Sequence, residues 1–411
     1  MTLSPILSAL LRNKTGAVLV ALQVALSLAI LSNALHIVNV RQAVAARPSG
    51  IADESSTFYI SSRYLVTESA AFDLAVQNRE LDVLRGLAGV ASAALTNQSP
   101  MTNSGNYNSV SLDRKQVNES AGAAVYRTGQ SLIHTWQLKL VEGRDFVPAD
   151  VLEADTQTSD EFPTTTIVTK TLADKLWPGQ SAIGKTLLFG TGETADPTRV
   201  IGVVERLQTP GANVGEEGEH SVILPHRTLG GAIQNTYAVR AEPGQRERIM
   251  KDAEAALTKS AGVPVIIKVK TNEADRKERY RADVALSWML VTVSVLLLVI
   301  TASGIVGMAS LWVTQRRKQI GVRRALGARR ADILRYFVTE NLMITSAGVL
   351  GGVLLAIGLN QLLVSQLEMS KLPLVYLFAG VGVFYLLGVG AVYGPAWRAA
   401  SISPATATRS A

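Results

Sequence analysis

The chain has 411 residues, 40 Lys and Arg against 33 Asp and Glu, a net charge of +7, no cysteine and a mean hydropathy of +0.21. Without cysteine there is no disulfide framework, no thiol catalysis and no thiolate metal site. The charged fraction of 18 % falls below the roughly 25 % of soluble domains, because four runs carry no Asp, Glu, Lys or Arg at all: Thr15–Val40, Val284–Thr314, Asn341–Leu367 and Leu372–Trp397.

The shortest run holds 26 residues, about 39 Å of helix, where a bilayer core asks for about 20 residues. Four such runs are too many and too long for the buried core of a soluble protein. The fold class expected is an α-helical membrane protein with four transmembrane helices, one before and three after a large mixed α/β extracytoplasmic domain.

In chain order, residues 1–14 place Leu3, Ile6, Leu7, Leu10 and Leu11 at helical spacing, the pattern of an amphipathic helix on the cytoplasmic face. The run at 15–40 is longer than a signal-peptide core of about 7–15 residues and precedes no clear small-x-small site, so it reads as an uncleaved first transmembrane helix. In it Ala17, Ala21, Ala25 and Ala29 recur every fourth residue, which permits close approach by another helix of the same chain or of a second copy. His36–Ala46 could carry this helix beyond the bilayer.

Residues 41–283 form the extracytoplasmic domain. Thr165–Val168, Val200–Val204, Ser221–Leu224 and Val263–Val269 are strand-like, Leu172–Leu176 and Gly244–Leu257 helical, and Met101–Asn108 a loop. Thr271–Asp283 has no Gly or Pro and should run unbroken into the second transmembrane helix at 284–314. The third follows at 341–367 and the fourth at 372–397. The Gly348/Gly352 and Gly390/Gly394 pairs in them point to helix packing.

Between spans two and three, residues 315–340 carry Arg316, Arg317, Lys318, Arg323, Arg324, Arg329, Arg330 and Arg335 against Asp332 and Glu340. Short basic loops stay in the cytoplasm, so this segment, both termini and the tail at 398–411 are expected inside and 41–283 outside. The outer residues hold 27 basic and 30 acidic groups. The positive balance therefore belongs to the cytoplasmic pieces and is no argument for nucleic acid. Membrane lipid is a partner by the same reading.

The sharpest local match is misleading. Gly179–Thr186 reads GQSAIGKT, a full G-x-x-x-x-G-K-T pattern. Such a loop should follow a strand and open a helix. Here Leu172–Trp177 looks helical and Thr186–Phe189 strand-like, so cofactor binding at Gly179–Thr186 is not expected. His36, His134, His220 and His226 are scattered, Glu216, Glu217 and Glu219 read as a solvated loop, and no metal site is expected. No nucleophile-and-base arrangement stands out. The basic segment differs from a merely topogenic loop in its ordered apolar positions, Ile320, Leu326, Ile333, Leu334 and Phe337, with a break at Gly327. That pattern suits a short helix seated in a partner groove or on anionic lipid.

The IGVRRALGA run at 320–328 resembles the cytoplasmic motif of the MacB/FtsX-type ABC transporter permeases, the mechanotransmission family. PAWRAASISPA at 395–405 resembles their post-helix motif, and LVEGRDF at 140–146, the stretch 172–187 with WPG and AIGKTL, and VIGVVE at 200–205 resemble landmarks of their periplasmic core domain. The resemblance covers nearly the whole chain. It implies that the membrane is a bacterial inner membrane and the outer side of 41–283 the periplasm. It also implies a stand-alone, non-enzymatic permease with a MacB-type core domain and no directly bound cofactor, ATP and magnesium belonging to a separate cytoplasmic ATPase dimer. Ile320, Gly321, Val322, Arg323, Arg324, Ala325, Leu326, Gly327 and Ala328 would be the coupling helix on that ATPase. ATP-driven movement would reshape the outer domain to expel peptides, antibiotics or siderophore-like molecules through a periplasmic adaptor and a TolC-like outer-membrane duct. Lipoprotein extraction and regulation of a cell-wall hydrolase or sensor kinase are the alternatives. Gln319 stands where the family has Glu, and Ala405–Arg409 departs from the usual ending. A second copy or an unequal, paralogous permease would complete the pair.

Overall fold

The structure, a computed structural model, describes residues 14–66, 69–155, 157–230, 234–367 and 371–401. Residues 1–13 of the expected amphipathic helix, most of the 368–371 turn and the tail beyond 401 lie outside the described residues.

Chain order begins with α1 (Lys14–Ala45) and β1 (Thr57–Tyr64), then α2 (Ala70–Gly86), β2 (Val90–Thr96), β3 (Tyr107–Ser111), β4 (Ala121–Arg127), α3 (Leu132–Trp136), β5 (Leu140–Gly143) and β6 (Leu152–Asp155). It continues with β7 (Thr165–Thr169), α4 (Lys170–Leu176), β8 (Thr186–Phe189), β9 (Asp196–Val204), β10 (Ser221–Leu224), β11 (His226–Leu229), β12 (Asn235–Ala241), α5 (Arg246–Ser260), β13 (Val265–Thr271) and α6 (Asn272–Arg279). Four helices follow: α7 (Arg281–Gln315), α8 (Arg317–Ala325), α9 (Arg330–Leu367) and α10 (Leu374–Ala400). The chain divides into a helical unit, 1–42 with 283–411, and an α/β unit, 43–282.

In the helical unit α1, α7, α9 and α10 are each long and apolar enough to cross a membrane. The apolar window of α1 is 56 % buried and that of α7 only 17 %, which places α1 at the centre of the bundle. The alanine stripe explains this. Gly348 and Gly352 of α9 come so close to α1 that a Cβ on Gly348 would meet the Ala21 carbonyl oxygen at 2.7 Å and one on Gly352 the Ala25 carbonyl oxygen at 3.0 Å. The stripe is thus used for packing within the chain. A Cβ on Gly390 or Gly394 of α10 would meet nothing. Polar links cross the bundle as well: the Ser27 and Thr301 hydroxyls lie 3.0 Å apart, and Asn33 donates to the Ala356 carbonyl at 3.1 Å. Arg41 of α1 forms an ion pair with Asp283 of α7.

The α/β unit contains two principal sheets. Strands β13-β1-β12-β2 form an antiparallel sheet. The strict alternation of β1 turns Phe58 and Ile60 to one face, where they join Tyr237, Leu81, Leu84, Ile249 and Leu257 in a core covered by α2 and α5. The second sheet runs β5-β9-β7-β10-β4-β3-β8 and closes on itself, because β9 pairs β7 along one side and both β5 and β8 along the other. Trp136, fully buried, packs edge-on against Tyr126 of the closed sheet and Tyr59 of the open one.

The expected unbroken helix from Thr271 into span two is corrected. Asn272–Arg279 is a separate helix, and Tyr280 breaks the run before Arg281. Tyr280 is buried with Val44, Met101 and Ala212, and Arg276 donates to the Ala45 and Arg47 carbonyls. Tertiary anchoring overrides a helix-favouring sequence.

Candidate functional site

The basic segment between α7 and α9 folds as a short helix, fastened on one side and bare on the other. Its end is chemically determined. Gly327 adopts φ +97°, a left-handed conformation that disfavours side chains. The Gly327 N–H bonds to the Arg324 carbonyl at 3.2 Å and the Ala328 N–H to the Arg323 carbonyl at 3.1 Å, the two bonds of a Schellman turn. The next helix is capped at once: the Asp332 carboxylate accepts the Arg329 N–H at 2.9 Å.

The fastened side begins with Ile320 and Gly321, both buried, Ile320 in one cluster with Ile333 and Phe337 of α9 and Ala396, Ala399 and Ala400 of α10. Arg316 Nη1 lies 2.9 Å from both carboxylate oxygens of Glu340, whose side chain is 1 % exposed. The Arg323 guanidinium stacks over the Tyr336 ring, 5.2 Å from its centre. Arg324 donates to the Ala400 carbonyl. On the bare side Val322 is 53 % and Leu326 83 % exposed. Being four residues apart, they share one helix face, and Arg317, Lys318, Ala325, Arg329 and Arg330 are exposed around them. In water an exposed leucine is unremarked. Held out by the Gly327 turn, this apolar pair is an exposed patch with a cationic rim.

Of the nine residues singled out by motif, the structure therefore turns Ile320 and Gly321 inward, lays Arg323 over Tyr336, directs Arg324 to α10, and leaves Val322, Ala325, Leu326 and Gly327 exposed. Tyr336 and Glu340 were missed as parts of the site. An acid at the border of an apolar run was a visible signal, but no spacing rule pairs it with Arg316.

Gly179–Thr186 has the context of a turn. It lies between α4 and β8, helix before and strand after. Its amides are engaged: Gly184 N–H donates to Val200 O at 2.8 Å, Lys185 N–H to Ala182 O at 3.1 Å and Gln180 N–H to Trp177 O at 3.1 Å. The Lys185 ammonium lies 5.7 Å from the Trp177 ring centre and bonds to Gln180. A phosphate cradle needs the opposite order and free N–H groups. Among the described residues no three His, Asp or Glu gather as metal ligands. His220 and His226 are buried singly, and burial, then the Arg127 charge, pushes the His226 ring down to about 4.

The comparisons agree with these landmarks. Residues 21–256 match the MacB-like periplasmic core domain and residues 291–404 the FtsX-like permease C-terminal model. The macrolide export ATP-binding/permease protein MacB of Sodalis glossinidius is 30 % identical over 308 residues, covering 71 % of this chain and 44 % of that protein. The MacB of Agrobacterium fabrum is 26 % identical over 338 residues, 79 % of this chain and 49 % of that one. The chain spans less than half the length of these relatives. The solved periplasmic region of MacB from Actinobacillus actinomycetemcomitans is 14 % identical, covers 55 % of this chain and 94 % of that one, and has a TM-score of 0.33. With a core-domain model spanning more than half of its length and a permease model over its last three membrane helices, the chain belongs to the MacB/FtsX-type permeases of ABC transporters.

Proposed function

We propose that this permease couples ATP hydrolysis, on a nucleotide-binding unit outside the 411 residues, to movement of its α/β domain, and that α8 is the contact with that unit. The observation that carries the reading is the outward pair Val322 and Leu326 on a helix otherwise fixed by Ile320, Arg316–Glu340 and Arg324. A helix so clamped passes on a push instead of yielding to it. ATP and magnesium would sit on the partner. The arginine rim supports a cytoplasmic α8 under the positive-inside rule; both chain ends would then be cytoplasmic too, with 41–283 on the periplasmic side of an inner membrane. The relatives are named for macrolide export, which favours export through an adaptor and an outer-membrane duct. A second permease, identical or paralogous, would complete the transporter.

Replacing Leu326 by Asp puts an unpaired charge at the centre of the patch. The variant is expected to insert and fold as the wild type does, since residue 326 is exposed, while co-purification with the ATPase falls at least tenfold. Undiminished co-purification, with transport intact, would remove α8 as the docking element.

A further inference from the structure

The α/β unit holds an open cleft of about 640 Å³, within the roughly 300–1,000 Å³ of small-ligand sites. Its floor is the face of the four-stranded sheet turned away from α2 and α5. Lys268, Ser61 and Thr236 stand in register across β13, β1 and β12. The loop at 97–106 makes one wall, with Asn103 and Asn106 exposed, and α6 closes an end with Asp275 and Glu278.

Charge in this cleft is divided. Lys270 Nζ lies 3.3 Å from Asp275 and 3.2 Å from Glu278, so this end carries two acids against one ammonium. Glu278 is also the accessible acid, its side chain 57 % exposed against 9 % for Asp275. Lys268 lies two residues along the same strand face, about 7 Å away, and among the described residues its ammonium has no ion pair or hydrogen bond. A simple anion would meet the acids and a simple cation would meet Lys268. A ligand carrying both charges, separated by about 7–10 Å, satisfies both ends. An extended chain of two or three residues at roughly 3.4 Å each has that separation between its amino and carboxyl ends, and the hydroxyl and amide side chains between suit its peptide groups.

We infer that the cleft binds short peptides with free ends, the carboxylate on Lys268 and the amino group on Glu278. As the transported class this rests on the export reading; the binding itself does not. The ligand would touch α6, which Tyr280 alone separates in sequence from α7, so occupancy is registered on the segment leading into the second membrane helix.

The test is calorimetric titration of the full chain in lipid nanodiscs, with no ATPase present, using trialanine and N-acetyl-trialanine amide. Trialanine should bind, the doubly blocked peptide at least tenfold more weakly. Lys268→Glu should lose trialanine at least tenfold and Lys268→Arg should retain it. No binding of trialanine at millimolar concentration, equal binding of the blocked peptide, or an unchanged Lys268→Glu variant overturns the inference. A chain that couples to its ATPase but ignores trialanine overturns the peptide site alone. One that binds trialanine through Lys268 yet drives no export supports the site and overturns the export reading.

Discussion

Leu326 and His226 show how differently single residues are used. Leu326 is apolar at a helical position, which predicts burial, yet it is 83 % exposed. Periodicity reports which face is apolar but not whether this chain or another covers it, so Ile320 and Leu326 are indistinguishable in the sequence. His226 is buried, and its burial favours the neutral ring. Its ring falls from the ordinary 6.5 to about 4. Between those values the unfolded chain binds the proton and the folded one does not, so stability is fully present above about 6.5 and is lost as the pH falls toward 4. His226→Gln should flatten the fall in Tm of the full chain between pH 6.5 and 4, at a cost in Tm near neutrality. An unchanged pH slope would show that other groups set it.

Elements were legible where one physical requirement dominated. A run of 26 or more uncharged residues has no good alternative to a membrane helix, and strands as apolar as Val200–Val204 and Ser221–Leu224 declared themselves. β4, AGAAVYR, did not, because Ala and Gly are poor strand formers in isolation and the strand exists through its partners β3 and β10. The closure of the second sheet depends on β9 meeting β5, β7 and β8, contacts no local pattern encodes. The break at Tyr280 was hidden for the same reason, and so was the tie between the α7–α8 junction and α9 made by Arg316 and Glu340. That tie fixes α8, the proposed coupling element, to α9. Removing one partner strands a buried charge, which costs about 3–5 kcal/mol, whereas replacing both by apolar groups is often tolerated. Arg316→Met alone, which leaves the Glu340 carboxylate buried without its cation, should therefore lower folded yield and stimulation of the ATPase, and Arg316→Met/Glu340→Met should regain yield without regaining stimulation. Full recovery of stimulation in the double variant would mean the ion pair serves stability only.

At the scale of the whole molecule, the two units differ in charge as well as fold. Residues 41–283 hold 27 basic and 30 acidic groups, while 315–340 holds eight basic and two acidic. The asymmetry sets the proposed orientation, and the absence of cysteine makes it simple to check. A single cysteine at Asn106, an exposed loop position, should react with a membrane-impermeant maleimide in outer-permeabilised cells; reaction only after lysis would invert the topology. The central claim is that α8 is where the permease meets its ATPase. It is tested most directly by placing the chain's only cysteine at Leu326, and in a parallel variant at Leu386, exposed in the middle of α10, then cross-linking each to the ATPase in membranes with and without nucleotide. The account predicts a nucleotide-sensitive permease–ATPase product from position 326 and none from 386. No product at 326, from a complex that still hydrolyses ATP under control of the permease, would contradict it.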